Sequence, residues 1–206
     1  MVTYKSNIPR LGIVAVVCCV SISGIASTAL SRPYRLSTKA KNRVEFHSKA
    51  TLESFSGKSK SILAEFDVEP AKLSSTKGKV TVDLRTLDTG LELRNKHMRE
   101  NHLHTDSFPN AIFELDSLVM LPSPNPGVDS VAIHGAMTIH GVSRPVSAVG
   151  VVTGRDRDGS TGPLRIESDF PLKITEFGIP RPEFLFLKLA EEVKIVVDLT
   201  LEPLVE

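Results

Sequence analysis

Apolar and polar residues alternate with a period of two along much of the chain, and the last such run is the longest. Five apolar residues share one side of this run and charged residues mark the other: Val193, Ile195, Val197, Leu199 and Leu201 against Lys194, Asp198 and Glu202. This period is typical of an antiparallel β-strand with one buried and one solvated face. The five apolar residues are therefore predicted to point into the core.

The same alternation predicts roughly eight strands. Clear runs occupy residues 80–85, 111–116 and 193–202, and looser runs occupy 43–54, 61–68, 130–140, 145–153 and 164–172. We interpret Gly57, Gly141, Pro145 and Gly159 as turn residues between them. The predicted fold class is all-β, and an antiparallel barrel of about eight strands encloses an interior that is filled by side chains or holds one small ligand.

Helix signals are few in this sequence. Short helical segments are predicted at residues 69–73, 94–102 and 182–189. In the segment 94–102, Asn95, Arg99 and His102 fall on one face at spacings of four and three. None of the segments is long enough for a βαβ unit, which argues against a nucleotide-binding α/β fold.

Residues 1–29 have the profile of a secretory signal peptide, because Lys5 and Arg10 precede an uncharged apolar run that ends in small residues. The most hydrophobic part is too short to span a bilayer as a helix, although an uncleaved anchor is the alternative. Cleavage after Ala26 and cleavage after Ala29 both fit. A mature domain of residues 30–206, exported to the periplasm or secreted, would contain no cysteine and no disulfide.

Charge and composition narrow the function classes. The chain has 25 Lys and Arg residues against 24 Asp and Glu residues, and removal of the predicted signal would leave a formal net charge of −1. A nearly neutral domain has no long-range field that attracts nucleic acid. The chain contains no tryptophan and only 5% aromatic residues, which argues against a base-stacking surface.

Three of the six histidines fall within eight residues, at positions 97, 102 and 104. On an extended strand His102, His104 and Asp106 would share a face and could hold zinc, which gives a metal-dependent enzyme using His97, His102 and His104 as one alternative. The spacing lacks an HExxH helix or a cysteine partner, so we favour hydrogen-bonded loop histidines. No pair of carboxylates stands out as a catalytic acid and base, and no catalytic residue is predicted.

Several separated segments carry a resemblance to a known family. They are Val44-Glu45-Phe46 leading to Phe55-Ser56-Gly57, Leu87-Asp88-Thr89-Gly90 with Arg94-Asn95, His102-Leu103 before Phe108-Pro109, the run from Gly135 to Val146, and Ile174-Thr175-Glu176-Phe177-Gly178-Ile179. In this order and spacing the chain resembles the YceI-like polyisoprenoid-binding family over residues 34–203. The Arg94-Asn95 pair departs from the Arg-Asp pair of many members, so the resemblance does not specify a lipid head group.

The resemblance implies a lipocalin-like barrel with one or two short helices that holds a long-chain isoprenoid, quinone-like or fatty-acyl lipid for storage, transport or stress protection. It implies no catalysis and no cofactor, and it leaves membrane-surface contact and a homodimer open. A ligand-free structural envelope protein is the third alternative. The interior residues expected to contact lipid are Phe46, Val82, Leu84, Phe113, Leu115, Ile133, Met137, Phe170, Ile195, Val197 and Leu199. A polar rim is expected at Arg94, Asn95, His97 and His102.

Overall fold

The computed structural model describes residues 31–50, 54–123, 125–155, 162–181, 183–184 and 187–204. The predicted signal peptide and the predicted turn at Gly159 lie outside these residues. Within them, eleven strands are formed: β1 (Arg32–Leu36), β2 (Arg43–Ala50), β3 (Ser54–Lys58), β4 (Ile62–Val68), β5 (Lys77–Asp83), β6 (Asn110–Leu121), β7 (Val128–Ile139), β8 (Val142–Thr153), β9 (Leu164–Lys173), β10 (Glu183–Phe184) and β11 (Leu187–Pro203).

Eight of these strands close into an antiparallel barrel. Their order around the ring is β1-β4-β5-β6-β7-β8-β9-β11, and β11 pairs back onto β1, with Leu201 opposite Leu36. Closure leaves no unpaired edge in a ring of this kind and creates an interior. The predicted eight-stranded antiparallel barrel is therefore confirmed.

The long strand β11 also holds a second hairpin against the barrel. One of its edges pairs with β1 at residues 201–203 and with β2 at residues 189–198, while its other edge pairs with β9. Strand β3 pairs with β2, and one bridge between Lys58 and Asp88 joins β3 to the segment that follows β5. The β2–β3 hairpin thus extends the barrel wall beyond the closed ring.

Two residues interpreted as turns lie inside strands instead. Gly57 belongs to β3 and Pro145 to β8. Proline lacks the N–H that a central strand needs, but β8 pairs with β9 only from Val149 onward, so Pro145 lies where one edge of β8 has no such partner. Gly141 does lie in the β7–β8 turn, with a positive φ of 73°. Strand β1 was not predicted, since its alternation covers only five residues.

Of the three predicted helical segments, the structure confirms one and contradicts another. The helix predicted at 94–102 is confirmed: α1 (Glu92–His97) continues into a π-helical turn, Met98–Leu103. The turn predicted at 69–73 precedes a 3-10 turn, Leu73–Ser75. The helix predicted at 182–189 is wrong, because the residues described there form the β10–β11 hairpin, with Glu183 opposite Lys188. Among the residues that the structure describes, no helix is long and apolar enough to cross a bilayer.

Two clusters of buried apolar side chains close the two ends of the barrel. The cluster at the helical end, where α1 lies, contains Leu84, Leu87, Ile139, Phe170, Leu172, Phe177, Ile179 and Val193. The cluster at the opposite end, which we call the loop end, contains Tyr34, Ala64, Phe66, Val68, Leu73, Leu115, Val131, Val152, Leu164 and Leu201. At the loop end Arg155 donates two hydrogen bonds to Asp129, at 2.6 and 2.7 Å, and clamps the strand ends together.

The facing of β11 follows its alternation. Val193, Leu199 and Leu201 are buried, and Ile195 and Val197 are half-buried on the same inner side. On the outer side Lys194 pairs with Asp169 at 2.8 Å and Asp198 pairs with Arg165 at 2.9 Å. The period of two in the sequence therefore gives the inner and outer faces of this strand correctly.

A lysine at position 197 should destabilise the barrel much more than a lysine on the outer wall. Val197→Lys would place an unpaired ammonium group in an apolar interior, and we expect a loss of several kcal/mol in the free energy of unfolding. The matched control is Val149→Lys on β8, because Val149 is 62% exposed and should change stability by no more than about 0.5 kcal/mol. Thermal and urea unfolding of both variants measure this, and equal losses would contradict the assigned facing.

Candidate functional site

The barrel encloses an elongated cavity between its two end clusters. The space open to the centre of a water-sized sphere is about 220 Å³, roughly fifteen times what one buried water needs. Side chains from the eight ring strands except β1, together with β2, line it. A barrel of eight strands is therefore not completely filled by its own side chains here, and the cavity is the candidate functional site.

All eleven residues predicted to face the interior lie in the cavity wall. They are Phe46, Val82, Leu84, Phe113, Leu115, Ile133, Met137, Phe170, Ile195, Val197 and Leu199. Their role in binding a ligand stays a prediction, but the structure brings them together in one space. Sequence reasoning did not single out other wall residues, among them Val44, Phe66, Val68, Leu73, Val131 and Ile139. The alternation within β2, β4 and β7 was the signal that could have found most of them.

The cavity wall is almost entirely apolar. Of the lining residues only Glu45, Thr76 and Ser168 have polar side chains. The Ser168 hydroxyl donates to the Val149 carbonyl at 2.9 Å, and the Glu45 carboxylate lies 3.6 Å from Arg43 and 3.4 Å from His47. These contacts engage Ser168 and Glu45 with the protein itself, whereas Thr76 Oγ1 is buried without a hydrogen-bond partner among the described residues. The cavity therefore offers a bound molecule apolar contact and few hydrogen bonds.

Inward-facing glycines make room for aromatic rings along this wall. Phe46 stands opposite Gly57, and Phe66 stands opposite Gly78 in the strand register. A Cβ placed on either glycine would collide with the facing ring, and one on Gly135 would collide with Phe113. Each ring thus occupies the volume that a side chain would take at the neighbouring position. The rings pack against the backbone, which leaves the centre of the barrel open.

The helical end of the barrel is held by a buried asparagine. Asn95 is 4% exposed, and its side-chain oxygen accepts hydrogen bonds from the backbone N–H and the hydroxyl of Thr89 at 2.8 and 2.7 Å. Its amide nitrogen donates to Asp88 at 3.1 Å. Because Asp88 also bridges to Lys58 of β3, Asn95 fixes α1 to the barrel wall.

Arg94 extends the same network. Its side chain donates to the hydroxyl and the carbonyl of Thr89, both at 2.9 Å, and its guanidinium lies 4.3 Å from the centre of the Phe55 ring. Asp88 accepts from Gly90 at 2.9 Å and pairs with Lys60 at 3.0 Å. Chiefly the Gly90 N–H, and then Lys60 and Asn95, hold the pKa of the Asp88 carboxyl well below its usual range. This network joins α1, the 88–90 turn and the end of β3.

The four residues predicted to form a polar rim, Arg94, Asn95, His97 and His102, lie at the helical end but do not line the cavity, and their contact with a ligand stays a prediction. Arg94 and Asn95 bind the 88–90 turn, and His97 is exposed on the outer side of α1. The sequence showed their polarity but not their partners. In the described structure, the apolar residues Met98 and Leu103 of the helical segment pack against the end cluster.

His102 is a partly buried histidine at the helical end. Its Nδ1 atom is buried without a hydrogen-bond partner among the described residues. Burial is the main cause that lowers the pKa of His102, neighbouring His104 and His97 add to the effect, and the Pro180 carbonyl opposes it. The folded protein therefore favours the neutral imidazole at this position.

The metal-site hypothesis assumed an extended strand at residues 102–106, and that assumption is wrong. The π-helical turn ends at Leu103 and is followed by His104, whose φ of 45° is left-handed. His104 Nδ1 lies 2.8 Å from Nε2 of His140, and the His140 ring packs against Phe108. Across the described parts of the chain, no group of three or more His, Cys, Asp or Glu side chains is placed to hold a metal ion.

Comparison with known protein families agrees with the barrel fold described above. The model of the YceI-like domain family matches residues 34–201. The chain belongs to the YceI-like domain family. The predicted resemblance is thus confirmed, and the YceI-like match covers every strand from β2 to β9 and most of β1 and β11.

Relatives and solved structures agree with the YceI-like assignment. A UPF0312 protein of Vibrio cholerae is 28% identical over 119 residues, which span 53% of this chain and 60% of that protein. BcnA of Burkholderia cenocepacia is a structural neighbour with a TM-score of 0.65 and 20% identity, covering 77% of this chain and 95% of that one. A polyisoprenoid-binding domain from Saccharophagus degradans has a TM-score of 0.64 and 15% identity, covering 85% and 99%.

An alanine at position 57 should force a ring off the cavity wall. In Gly57→Ala the new methyl would meet the Phe46 ring and approach Thr89, so Phe46 must swing away from β3. We expect about 1–3 kcal/mol lower stability, as in overpacked cores, and altered NMR chemical shifts for Phe46 and its neighbours. Ser56→Ala is the control, because Ser56 is exposed on the same strand. Unchanged Phe46 shifts in Gly57→Ala would show that the ring does not depend on this glycine.

The lowered pKa of His102 predicts acid sensitivity. Below about pH 6.5 the unfolded chain binds a proton at this residue that the folded protein resists, so stability is highest above that pH and falls as the pH drops toward 5. His102→Gln should flatten the dependence of Tm on pH relative to the wild type. Thermal unfolding between about pH 7.5 and pH 5 measures both slopes. Identical slopes in wild type and His102→Gln would exclude His102 as the source.

Proposed function

We propose that this protein holds a long-chain isoprenoid or fatty-acyl lipid inside its barrel. The single observation that carries the proposal is the elongated cavity of about 220 Å³ with an almost wholly apolar wall. A cavity with so few polar groups in its wall suits a hydrocarbon chain, because such a chain needs none. The size of the cavity also weighs against the alternative of a filled, purely structural barrel.

The residues that line the cavity limit the length of the chain that it can hold. On β7 the lining residues run from Val131 to Ile139, a distance of about 26 Å along the strand, or about 20 Å along the axis of a tilted barrel. An extended chain advances about 1.2 Å per bond, so the cavity holds at most about sixteen bonds. This limit admits an isoprenoid of a few units or a common fatty-acyl tail.

Burial of apolar surface supplies enough free energy for binding. Each CH₂-sized unit removed from water contributes about 0.8 kcal/mol, so sixteen units would contribute about 13 kcal/mol. Association costs roughly 4–15 kcal/mol, and the lower part of this range leaves a net affinity without a single hydrogen bond. The binding residues of such a protein are ordinary core residues. That is why its sequence carries no conspicuous site.

The family gives independent support to the proposal. The neighbouring domain from Saccharophagus degradans is described as polyisoprenoid-binding, and it shares the fold with this chain over nearly its whole length. At 15% identity this supports the fold, and the ligand class for this chain remains our proposal. Because the aligned relatives are matched over only about 60% of their length, we propose the function for this domain alone.

Binding is favoured over catalysis at this site. Glu45 is the one ionisable residue among those that line the described cavity, and it faces Arg43 and His47. Acid–base catalysis on a bound molecule needs at least one positioned proton donor or acceptor in reach of it.

We further propose export to the periplasm or outside the cell, on the strength of the signal profile of residues 1–29.

The proposed function is tested by extraction of the protein purified from its native envelope. Organic extraction and mass spectrometry should find a hydrophobic compound in a fixed ratio to the protein. Elemental analysis on the same sample separates this proposal from a metal-dependent enzyme. Repeated extraction without a lipid, together with no uptake of added geranylgeraniol, would contradict the proposal.

A phenylalanine at position 148 should block the cavity. Ala148 lines the cavity on β8, so Ala148→Phe places a ring in the space that the lipid would fill and should reduce uptake of geranylgeraniol at least tenfold. Val149→Phe is the matched control, because the next residue on the same strand points outward and is 62% exposed. Uptake is measured with tritium-labelled geranylgeraniol, and Tm shows that both variants are folded. Equal uptake by the two variants would place the binding site outside the barrel.

A further inference from the structure

We propose that the helical end of the barrel docks on an anionic lipid bilayer, from which the cavity takes up its ligand. This inference rests on the proposed function. The docking surface consists of Leu91 and Leu93 at the start of α1 together with the basic residues Lys58, Lys60, Arg85 and Lys96. Its occupant is a lipid surface, and the observations below separate it from the rest of the barrel exterior.

Two leucines project from the start of α1 into solvent. Leu91 is 56% exposed and Leu93 is 68% exposed, which places both among the most exposed large apolar residues described. They lie two residues apart in the chain, next to exposed Lys96 and His97 on the following turn. Isolated exposed leucines are common on protein surfaces, but here one is the N-cap of α1 and the other its second residue, and we call these two the apolar tip.

The segments around this apolar tip carry more basic than acidic residues. Segments 58–60 and 83–103 together contain six Lys or Arg residues and four Asp or Glu residues, a formal net charge of +2 with neutral histidines, and Arg85 pairs with Asp83 at 2.8 Å. The two segments are joined, since Lys60 pairs with Asp88 and Asp88 accepts from Asn95 of α1. The whole chain has a net charge of only +1, so positive charge is concentrated at this end. Apolar side chains within a positive surround match an anionic bilayer surface.

The opposite side of the same helical segment faces the cavity end. Met98 and Leu103 pack against the cluster that closes the helical end, and Leu84 and Leu87 of that cluster also line the cavity. One short segment therefore has an outer apolar tip and an inner apolar contact with the binding site. A bilayer that engages the tip comes within about one helix diameter of the cavity, roughly 10 Å.

The chemistry of the ligand selects a bilayer over a protein as the partner. A long hydrocarbon chain has a very low concentration in water and is held in lipid phases, because each carbon gains free energy on leaving water. A protein that takes up its ligand from water would bind it slowly, because little free ligand is present. A protein in contact with the bilayer exchanges ligand with the bilayer directly. If the docking surface met a protein partner instead, the wild-type barrel would not bind vesicles, so the experiment distinguishes the two occupants.

The test compares a polar-tip variant with a matched control. Leu91→Ser, Leu93→Gln replaces both leucines by residues that suit the N-cap and the helix interior, so α1 should be preserved. Val149→Thr removes a comparably exposed apolar side chain from β8, on the barrel wall. Both are purified in the same form as the wild type. Thermal unfolding confirms that each is folded before any binding assay.

Three measurements are made on each protein. Cosedimentation with vesicles of phosphatidylcholine, with and without phosphatidylglycerol, measures docking. The transfer rate of tritium-labelled geranylgeraniol between donor and acceptor vesicles measures exchange through the bilayer. Uptake of the same compound from a cyclodextrin complex measures filling of the cavity without a bilayer. Lys96→Glu is added to test the contribution of charge.

The expected result separates docking from binding. The double variant should lose about tenfold or more in vesicle cosedimentation and in transfer rate, since two leucines no longer leave water, while cyclodextrin uptake stays at the wild-type level. Val149→Thr should match the wild type throughout. Lys96→Glu should weaken cosedimentation only with vesicles that contain phosphatidylglycerol.

Two outcomes would overturn the docking proposal. One is a wild-type protein that does not cosediment with either vesicle, in which case the tip meets a protein partner or nothing. The other is a double variant that docks and transfers as well as the wild type. Failure of the wild type to take up geranylgeraniol from cyclodextrin would instead contradict the lipid-binding function, and cosedimentation would still decide whether the end docks.

Discussion

Closure of the barrel by β11 is the constraint on which the rest of the structure depends. This one strand pairs with β9 along one edge and with β1 and β2 along the other, so it joins the first and last parts of the chain. These contacts join residues that are distant in sequence. The entropy of loop closure is therefore lost before the completed ring stabilises the fold. Closure creates an interior in which inward-facing side chains of seven ring strands and of β2 line one cavity.

A closed ring of eight strands would ordinarily fill with side chains, and the glycines oppose this. Gly57, Gly78 and Gly135 give up their own volume to the rings of Phe46, Phe66 and Phe113. Glycine in a strand lowers stability, and the ring that covers it recovers part of the loss through contact with the backbone. Specific pairs of glycine and phenylalanine on neighbouring strands therefore place these rings against the wall of the open cavity.

The sequence allowed the barrel and its inner face to be predicted because both depend on local alternation, as in β11 and β7. It failed where a residue takes its role from a distant partner. Gly57 was interpreted as a turn since the Phe46 ring that covers it lies on another strand. Likewise Asn95 was assigned to a polar rim, whereas its hydrogen bonds to Thr89 and Asp88 bury it. The sequence shows which residues are polar, but the burial of these residues and their hydrogen-bond partners depend on the closed fold.

The helical end combines hydrogen-bonded attachment with apolar packing. Asn95, Arg94 and Asp88 fix the start of the segment through charge-assisted and buried hydrogen bonds, which are costly to break. Met98 and Leu103 pack its remainder against the end cluster, and Arg99 of that part pairs with Glu92 of α1 at 2.8 Å. The same segment carries Leu91 and Leu93, whose side chains are exposed. The hydrogen bonds therefore hold in place both the packing that closes the helical end and the exposed leucines of the proposed docking tip.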